Sequence, residues 1–248
     1  MKVTDVGEGP AILLIHGLAC NTSDWFTQIA YFRRTHRVIA LDLRGHGRSS
    51  VPTEGYGTAS FVADFISVLD ALGVSSVVAV GHSLGGLLAK ALAITHPERV
   101  SAVVAIDPSG GLPDAQNVYK SLAPLVAQPG GLASIFERSE SQLTPPHSRE
   151  AHQYGALVTD ISVLTKVWHE CLVAPGVLMS DTEALRQRRA PLLVLHGKAQ
   201  VGAVERDQEI FVHPADHSLE LPVGHWIHHD LPELTHEIIT QWLSKLDD

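Results

Sequence analysis

Val77-Val78-Ala79-Val80-Gly81-His82-Ser83-Leu84-Gly85-Gly86-Leu87-Leu88-Ala89-Lys90-Ala91-Leu92-Ala93 runs from an apolar, β-branched stretch through a glycine-flanked serine into good helix formers. Val77 to Val80 has the composition of a buried strand, and Gly86 to Ala93 reads as a helix. Between them Gly81-His82-Ser83-Leu84-Gly85 must turn sharply. So tight a turn leaves no space for neighbouring side chains, and Gly81 and Gly85 provide that space. It lifts the Ser83 hydroxyl above the sheet and points the amino end of the next helix at developing negative charge. Strand, Gly-x-Ser-x-Gly and helix together are the setting in which a serine is presented as a nucleophile.

Outward from this segment, short apolar runs alternate with amphipathic ones, which is the βαβ rhythm of a parallel sheet. Strands are expected at Ala11 to Ile15, Arg37 to Leu41 and Val100 to Ile106. A helix is expected from Ser23 to Arg34, with Trp25, Ile29 and Phe32 on one face and Thr22 or Ser23 as its cap. Another is expected from Thr58 to Leu72, its apolar face formed by Phe61, Phe65, Val68, Leu69 and Leu72, with Gly73 as the stop. The rhythm breaks over 107–180, where seven prolines separate helical patches and no strand is evident. It resumes with a helix near Asp181 to Arg189, strands at Pro191 to His196 and Ser218 to Leu221, and a last helix from Pro232 to Leu246. The expected organisation is a sheet core from 1–106 and 181–248, with 107–180 as a helical insertion over the carboxyl edge of the strands.

The chain has 248 residues, with 18 Lys and Arg against 27 Asp and Glu, a net charge of −9. That balance argues against nucleic acid and anionic membrane as principal partners and says little about a small-molecule substrate. Oligomeric state is not legible. Cys20 and Cys171 lie far apart, without ligand spacing or a disulfide framework, so a reducing, cytoplasmic setting is expected. The amino-terminal residues form no hydrophobic signal region, and no apolar run approaches the roughly 20 residues that span a bilayer.

Three further stretches fall where acyl transfer needs them. His16-Gly17-Leu18 follows the first apolar strand and can turn a backbone N–H toward the serine. His225, in Gly224-His225-Trp226, follows the last strand and is a candidate base. Asp42-Leu43-Arg44-Gly45-His46-Gly47-Arg48-Ser49 forms a tight loop with a structural role. The run Gly224 to Asp230 reads as a loop rather than a helix face, so no metal site is expected there, and His228 or His229 is expected to cap or pack beside the last helix.

In kind and order these motifs, together with His196-Gly197, resemble the α/β-hydrolase fold family, in its serine esterase and lactonase branch. The resemblance implies a mostly parallel central sheet flanked by helices, with a helical cap between the sixth and seventh family strands. It implies Ser83 as nucleophile, His225 as base and an oxyanion hole from the backbone of Leu18 and Leu84, with no metal or organic cofactor. The implied reaction is cleavage of a carboxylic ester, lactone or related acyl group through an acyl-enzyme. The same fold hosts C–C bond hydrolases and enol-lactonases of ring-cleavage pathways, and a ligand-binding relative without turnover is a third possibility.

Two departures from the family pattern stand out. Only Lys2 to Val6 precede the first glycine, so the first of the family's two antiparallel strands is expected to be missing. At the usual position of the triad acid, in Gly197-Lys198-Ala199-Gln200, stands a glutamine, which orients an imidazole without offsetting its charge. Asp107, in Ile106-Asp107-Pro108, fits the alternative position after the sixth family strand; Glu205 and Asp207 are further candidates.

Overall fold

Strands β1 (Lys2–Val6), β2 (Ala11–Ile15), β3 (Arg37–Asp42), β4 (Val77–His82), β5 (Val100–Ile106), β6 (Leu192–Gly197) and β7 (His217–Leu221) form one sheet in the order β1-β3-β2-β4-β5-β6-β7. A computed structural model describes residues 1–110, 114–174, 182–200 and 202–246. Only β1 is antiparallel, paired with β3 at the sheet edge; every other pairing is parallel. The strand expected from Val77 to Val80 continues to His82, so the residue before the serine belongs to the ladder.

Strand periodicity sorts the core into two layers. Leu13, Ile15, Ile39, Leu41, Ala79 and Val103 face one side, whereas Ile12, Leu14, Val38, Ala40, Val80 and Val104 face the other. Both faces are covered, which is why these strands are apolar throughout instead of alternating. On the first face lie helices α2 (Thr58–Ala71), through Phe61, Phe65 and Leu69, and α3 (Leu84–Thr95). On the second lie Trp25, helix α1 (Phe26–Phe32) through Phe32, and the last helix through Ile239 and Trp242. The α1 region departs from expectation in its cap. Asn21 Oδ1 accepts the Ser23 N–H at 2.9 Å, while the Thr22 hydroxyl turns away to Asp42.

Between β5 and β6 come α4 (Ala115–Val126), α5 (Gly131–Ser139), α6 (Pro146–Val158), α7 (Ile161–Val167), a π-helical turn at Trp168–Val173 and α8 (Thr182–Arg186). Leu132, Phe136, Val163, Val167 and Trp168 join the same apolar cluster as Leu18 and Leu84, so the first core layer continues into these helices. Asp181, the expected start of α8, and Pro113 and Pro175 lie outside the described residues. After β6 come α9 (Ala203–Asp207), the short α10 (Ile227–Asp230) and α11 (Pro232–Ser244).

A buried ion pair secures the far half of the sheet. Arg188 Nη2 lies 2.9 Å from Asp216 Oδ2, with the two side chains 2% and 1% exposed. Asp216 also accepts the N–H groups of Leu192 (2.8 Å), Val212 (2.7 Å) and His213 (2.9 Å). Arg188 donates to the carbonyls of Ala190 and Ile210. Removing one partner leaves an uncompensated buried charge. Asp216→Ala is therefore expected to lower stability by about 3–5 kcal/mol in urea unfolding; a loss below about 1 kcal/mol would count against this role.

Candidate active site

Ser83 sits between β4 and α3 with φ 53° and ψ −117°, a left-handed-side conformation that costs a non-glycine residue about 1–3 kcal/mol. The surrounding backbone enforces it. Ser83 donates its N–H to Ile106 O at 2.9 Å, and its carbonyl accepts from Gly86 and Ser109, each at 3.0 Å. A Cβ on Gly81 would stand 2.1 Å from Gly85 O, and one on Gly85 would stand 2.0 Å from Ile15 O. The absence of side chains at both positions is thus a steric requirement of the turn.

Asp107 follows β5 and also holds positive φ, 41°. Its N–H donates to Leu195 O at 2.6 Å, and its Oδ1 accepts the Gly197 N–H at 2.7 Å. Its Oδ2 lies 2.5 Å from His225 Nδ1. A carboxylate only accepts, so Nδ1 carries the imidazole proton and Nε2 is left with the lone pair. His225 is held by its own backbone as well: its N–H donates to Ser139 O at 2.9 Å, and its carbonyl accepts from His82 Nε2 at 3.0 Å. The loop that carries it approaches β6 closely, because a Cβ on Gly197 would meet Gly224 O at 2.5 Å. Asp230 accepts from Gly224 N–H, Ser141 Oγ and Thr144 Oγ1, which pins this loop to the α5–α6 connection.

Asp207 is committed elsewhere, with Oδ2 2.7 Å from His196 Nε2 and 2.5 Å from Ser218 Oγ. Glu205 is exposed on α9. Gln200 is buried, and its Oε1 has no hydrogen-bond partner among the described residues. Of the four acid-position candidates, Asp107 is the one that the structure hydrogen-bonds to His225.

Leu18 and Leu84 flank Ser83 along one cavity of about 240 Å³, whose wall also includes Asp107 and His225. Leu84 opens α3, so its N–H has no partner within the helix. The loop bearing Leu18 is set by His16. The Leu43 N–H donates to His16 Nε2 at 2.9 Å, which places the ring proton on Nδ1, and this donates to Gly17 O at 2.7 Å. Asp42 secures the neighbouring loop by accepting the N–H groups of Thr22 and Arg48. The Asp42–Ser49 loop is thus held through its own first side chain.

From the segment between β5 and β6, Leu122, Ile135, Phe136 and Trp168 line the cavity, whereas Leu164 packs in the core and Leu143 and Leu157 are exposed. Tyr119 and Arg138 also line the cavity; sequence reading missed both, since neither belongs to a motif. His82 was passed over too, although its place beside the serine was the available signal. A larger groove of about 1030 Å³, lined by Cys20, Phe26 and Tyr154 among others, contains neither Ser83 nor His225. His228 and His229 depart from expectation: they lie in α10, His228 against the rings of Trp25 and His82, and His229 bonded to Ser148 and to Asp24 O.

A sequence profile described as the alpha/beta hydrolase fold matches residues 10–133, half of the chain. The protein belongs to that family. It is 48% identical over 103 residues to a 2-hydroxymuconate semialdehyde hydrolase of Pseudomonas putida, covering 40% of this chain and 37% of that one. It is 37% identical over 121 residues to 3-oxoadipate enol-lactonase 2 of Acinetobacter baylyi, covering 49% of this chain and 45% of the relative. The match thus spans less than half the length of these curated relatives. Among solved structures, the enol-lactonase from Burkholderia xenovorans LB400 superposes with a TM-score of 0.84 at 21% identity, covering 98% of this chain and 96% of that one. That likeness shows the fold.

Burial lowers the His16 pKa to about 3, assisted by repulsion from His46, so the ring stays neutral in the folded protein. The unfolded chain takes up its proton near 6.5. A depressed folded value means that the unfolded state binds more protons below 6.5, so stability falls as pH drops from there toward 3. Urea unfolding from pH 7 to 5 should show at least this one-proton slope, which approaches about 1.4 kcal/mol per pH unit once the unfolded ring is charged. A midpoint independent of pH across that range would contradict a neutral His16.

Proposed function

We propose that this protein is a serine hydrolase that cleaves a small carboxylic ester, lactone or related acyl substrate through an acyl-enzyme on Ser83. The observation that carries the reading is the Asp107–His225 hydrogen bond of 2.5 Å, on the wall of the same cavity as Ser83. With its Nδ1–H held by Asp107, His225 offers Nε2 as the base. Nε2 takes the proton from Ser83 Oγ, and Oγ attacks the substrate carbonyl carbon. The N–H groups of Leu18 and Leu84 receive the developing oxyanion, worth about 3–4 kcal/mol per donor in comparable sites. His225 then protonates the leaving group, water attacks the acyl-enzyme under the same base, and Ser83 is regenerated. Each step is supplied by side chains and backbone, without a metal or organic cofactor.

In this reading residues 107–180 act as a cap, with 1–106 and 181–248 as the core. Leu122, Ile135, Phe136 and Trp168 give the cap side of the cavity an apolar surface, and about 240 Å³ suits a small acyl group. Both cysteines are free and buried, which fits a reducing, cytoplasmic setting. Among the described residues no helix is long and apolar enough to cross a membrane. The similarity to a 2-hydroxymuconate semialdehyde hydrolase supports a second reading, C–C bond cleavage by the same serine. Parallel assays with p-nitrophenyl butyrate, an enol-lactone and a ring-cleavage semialdehyde separate the two.

Ser83→Ala should remove both p-nitrophenyl butyrate hydrolysis and labelling by a fluorophosphonate; a parental rate in that variant would overturn the proposal. Asp107→Asn should lower kcat by about 10³–10⁴, while Gln200→Ala should change it less than about tenfold. The reverse ranking would move the acid's role to position 200.

A further inference from the structure

Around His82, three distant parts of the chain converge. Asp24 comes from the turn Thr22–Trp25, His82 from the end of β4 and His228 from α10. Each offers one donor atom, and the three atoms lie within 4.8 Å of one another. The residues are 6%, 1% and 0% exposed. Asp24 Oδ2, His82 Nδ1 and both ring nitrogens of His228 have no hydrogen-bond partner among the described residues. Buried polar atoms are nearly always satisfied, and a buried carboxylate costs several kcal/mol unless paired; Asp24 has the Cys20 thiol and, at 4.0 Å, His152 Nε2 beside it. A concentration of orphaned donors at one point therefore calls for an occupant.

The chemistry of the donors selects that occupant. His82 Nε2 faces the His225 carbonyl at 3.0 Å. A carbonyl only accepts, so Nε2 carries the proton and Nδ1 presents a lone pair. A ring N–H bonded to a backbone carbonyl, with the other nitrogen free, is how metal-bound histidines are oriented. The rings are clamped in place: His228 packs 4.6 Å from Trp25 and 4.6 Å from His82. A second grouping, Asp24 with His152 and His229, is less available, because His229 uses Nδ1 on Ser148 Oγ at 2.8 Å and Nε2 on Asp24 O at 2.9 Å.

We propose that Asp24, His82 and His228 form a binding site for a divalent transition-metal ion of the zinc type. Two neutral imidazoles and one carboxylate are the borderline nitrogen and oxygen donors that zinc takes. The ion neutralises the Asp24 carboxylate and gives a partner to one donor atom of each residue. It ties the turn after β2 to the end of β4 and to the segment that carries His225, so its role is structural. The site stands independently of the hydrolase reading above.

The test uses the full chain, expressed with zinc in the medium, then stripped with a chelator and reloaded with Zn²⁺ or Co²⁺. Elemental analysis should find one equivalent of zinc per chain, and cobalt loading should add ligand-field absorption bands in the visible. Reloading should raise the Tm by about 5 °C or more at saturating zinc. His228→Gln and Asp24→Asn should each weaken zinc binding at least 100-fold and abolish the Tm shift. Failure of the parent protein to retain stoichiometric metal, or to show the cobalt bands, overturns the proposal whether or not the variants fold. Metal uptake undiminished in both variants overturns it as well, by assigning the ion to other histidines.

Discussion

The carboxylate of Asp107 is the point at which the architecture and the proposed chemistry meet. One oxygen caps the end of β6 through the Gly197 N–H, and the other holds Nδ1 of His225. Its backbone, at positive φ, turns the chain off β5 while its N–H still bonds Leu195 O. A single residue thereby joins two neighbouring strand ends to a loop more than a hundred residues away. Such a residue has little freedom to drift, and neither does the imidazole that it orients. Preorganisation of this kind allows charge to develop in a site without reorganising it.

The Ser83 turn depends on equally local constraints. Its backbone strain persists because Ile106, Gly86 and Ser109 hold it by hydrogen bonds and because Gly81 and Gly85 let the chain pass within contact of itself and of Ile15. Strain and support occupy the same few residues, as expected where a fold stores energy at a working position. Behind this layer lies a second one, built from His16, His82 and His225. His16 shapes the loop bearing Leu18 while remaining neutral, and His82 props the backbone of His225. His16 and His82 act as oriented neutral hydrogen-bonding groups, since burial disfavours their charged forms.

Legibility differed sharply between the fold and the site. Parallel strands buried on both faces leave unbroken apolar runs, and the amphipathic helices between them leave a period near 3.6, so the positions of most strands were open to reading. The Gly-x-Ser-x-Gly turn was legible because glycine is needed where backbones nearly touch. The cap of the α1 region was misread: Thr22 and Ser23 were eligible by type, but Asp42, brought in by β3, draws the Thr22 hydroxyl and leaves Asn21 to do the capping. The position of the carboxylate beside His225 could not be settled by motif, because Gln200 occupies the usual place and three acids remained eligible.

Local pattern and glycine placement alone were enough for the positions of most strands and for the serine turn, since each is written in neighbouring residues. Which acid meets His225, and that Asp24, His82 and His228 face one another, was decided by the tertiary structure. Those groups are separated by tens to hundreds of residues, and no spacing along the chain encodes a contact made by folding β5, α10 and the Thr22–Trp25 turn against one sheet edge.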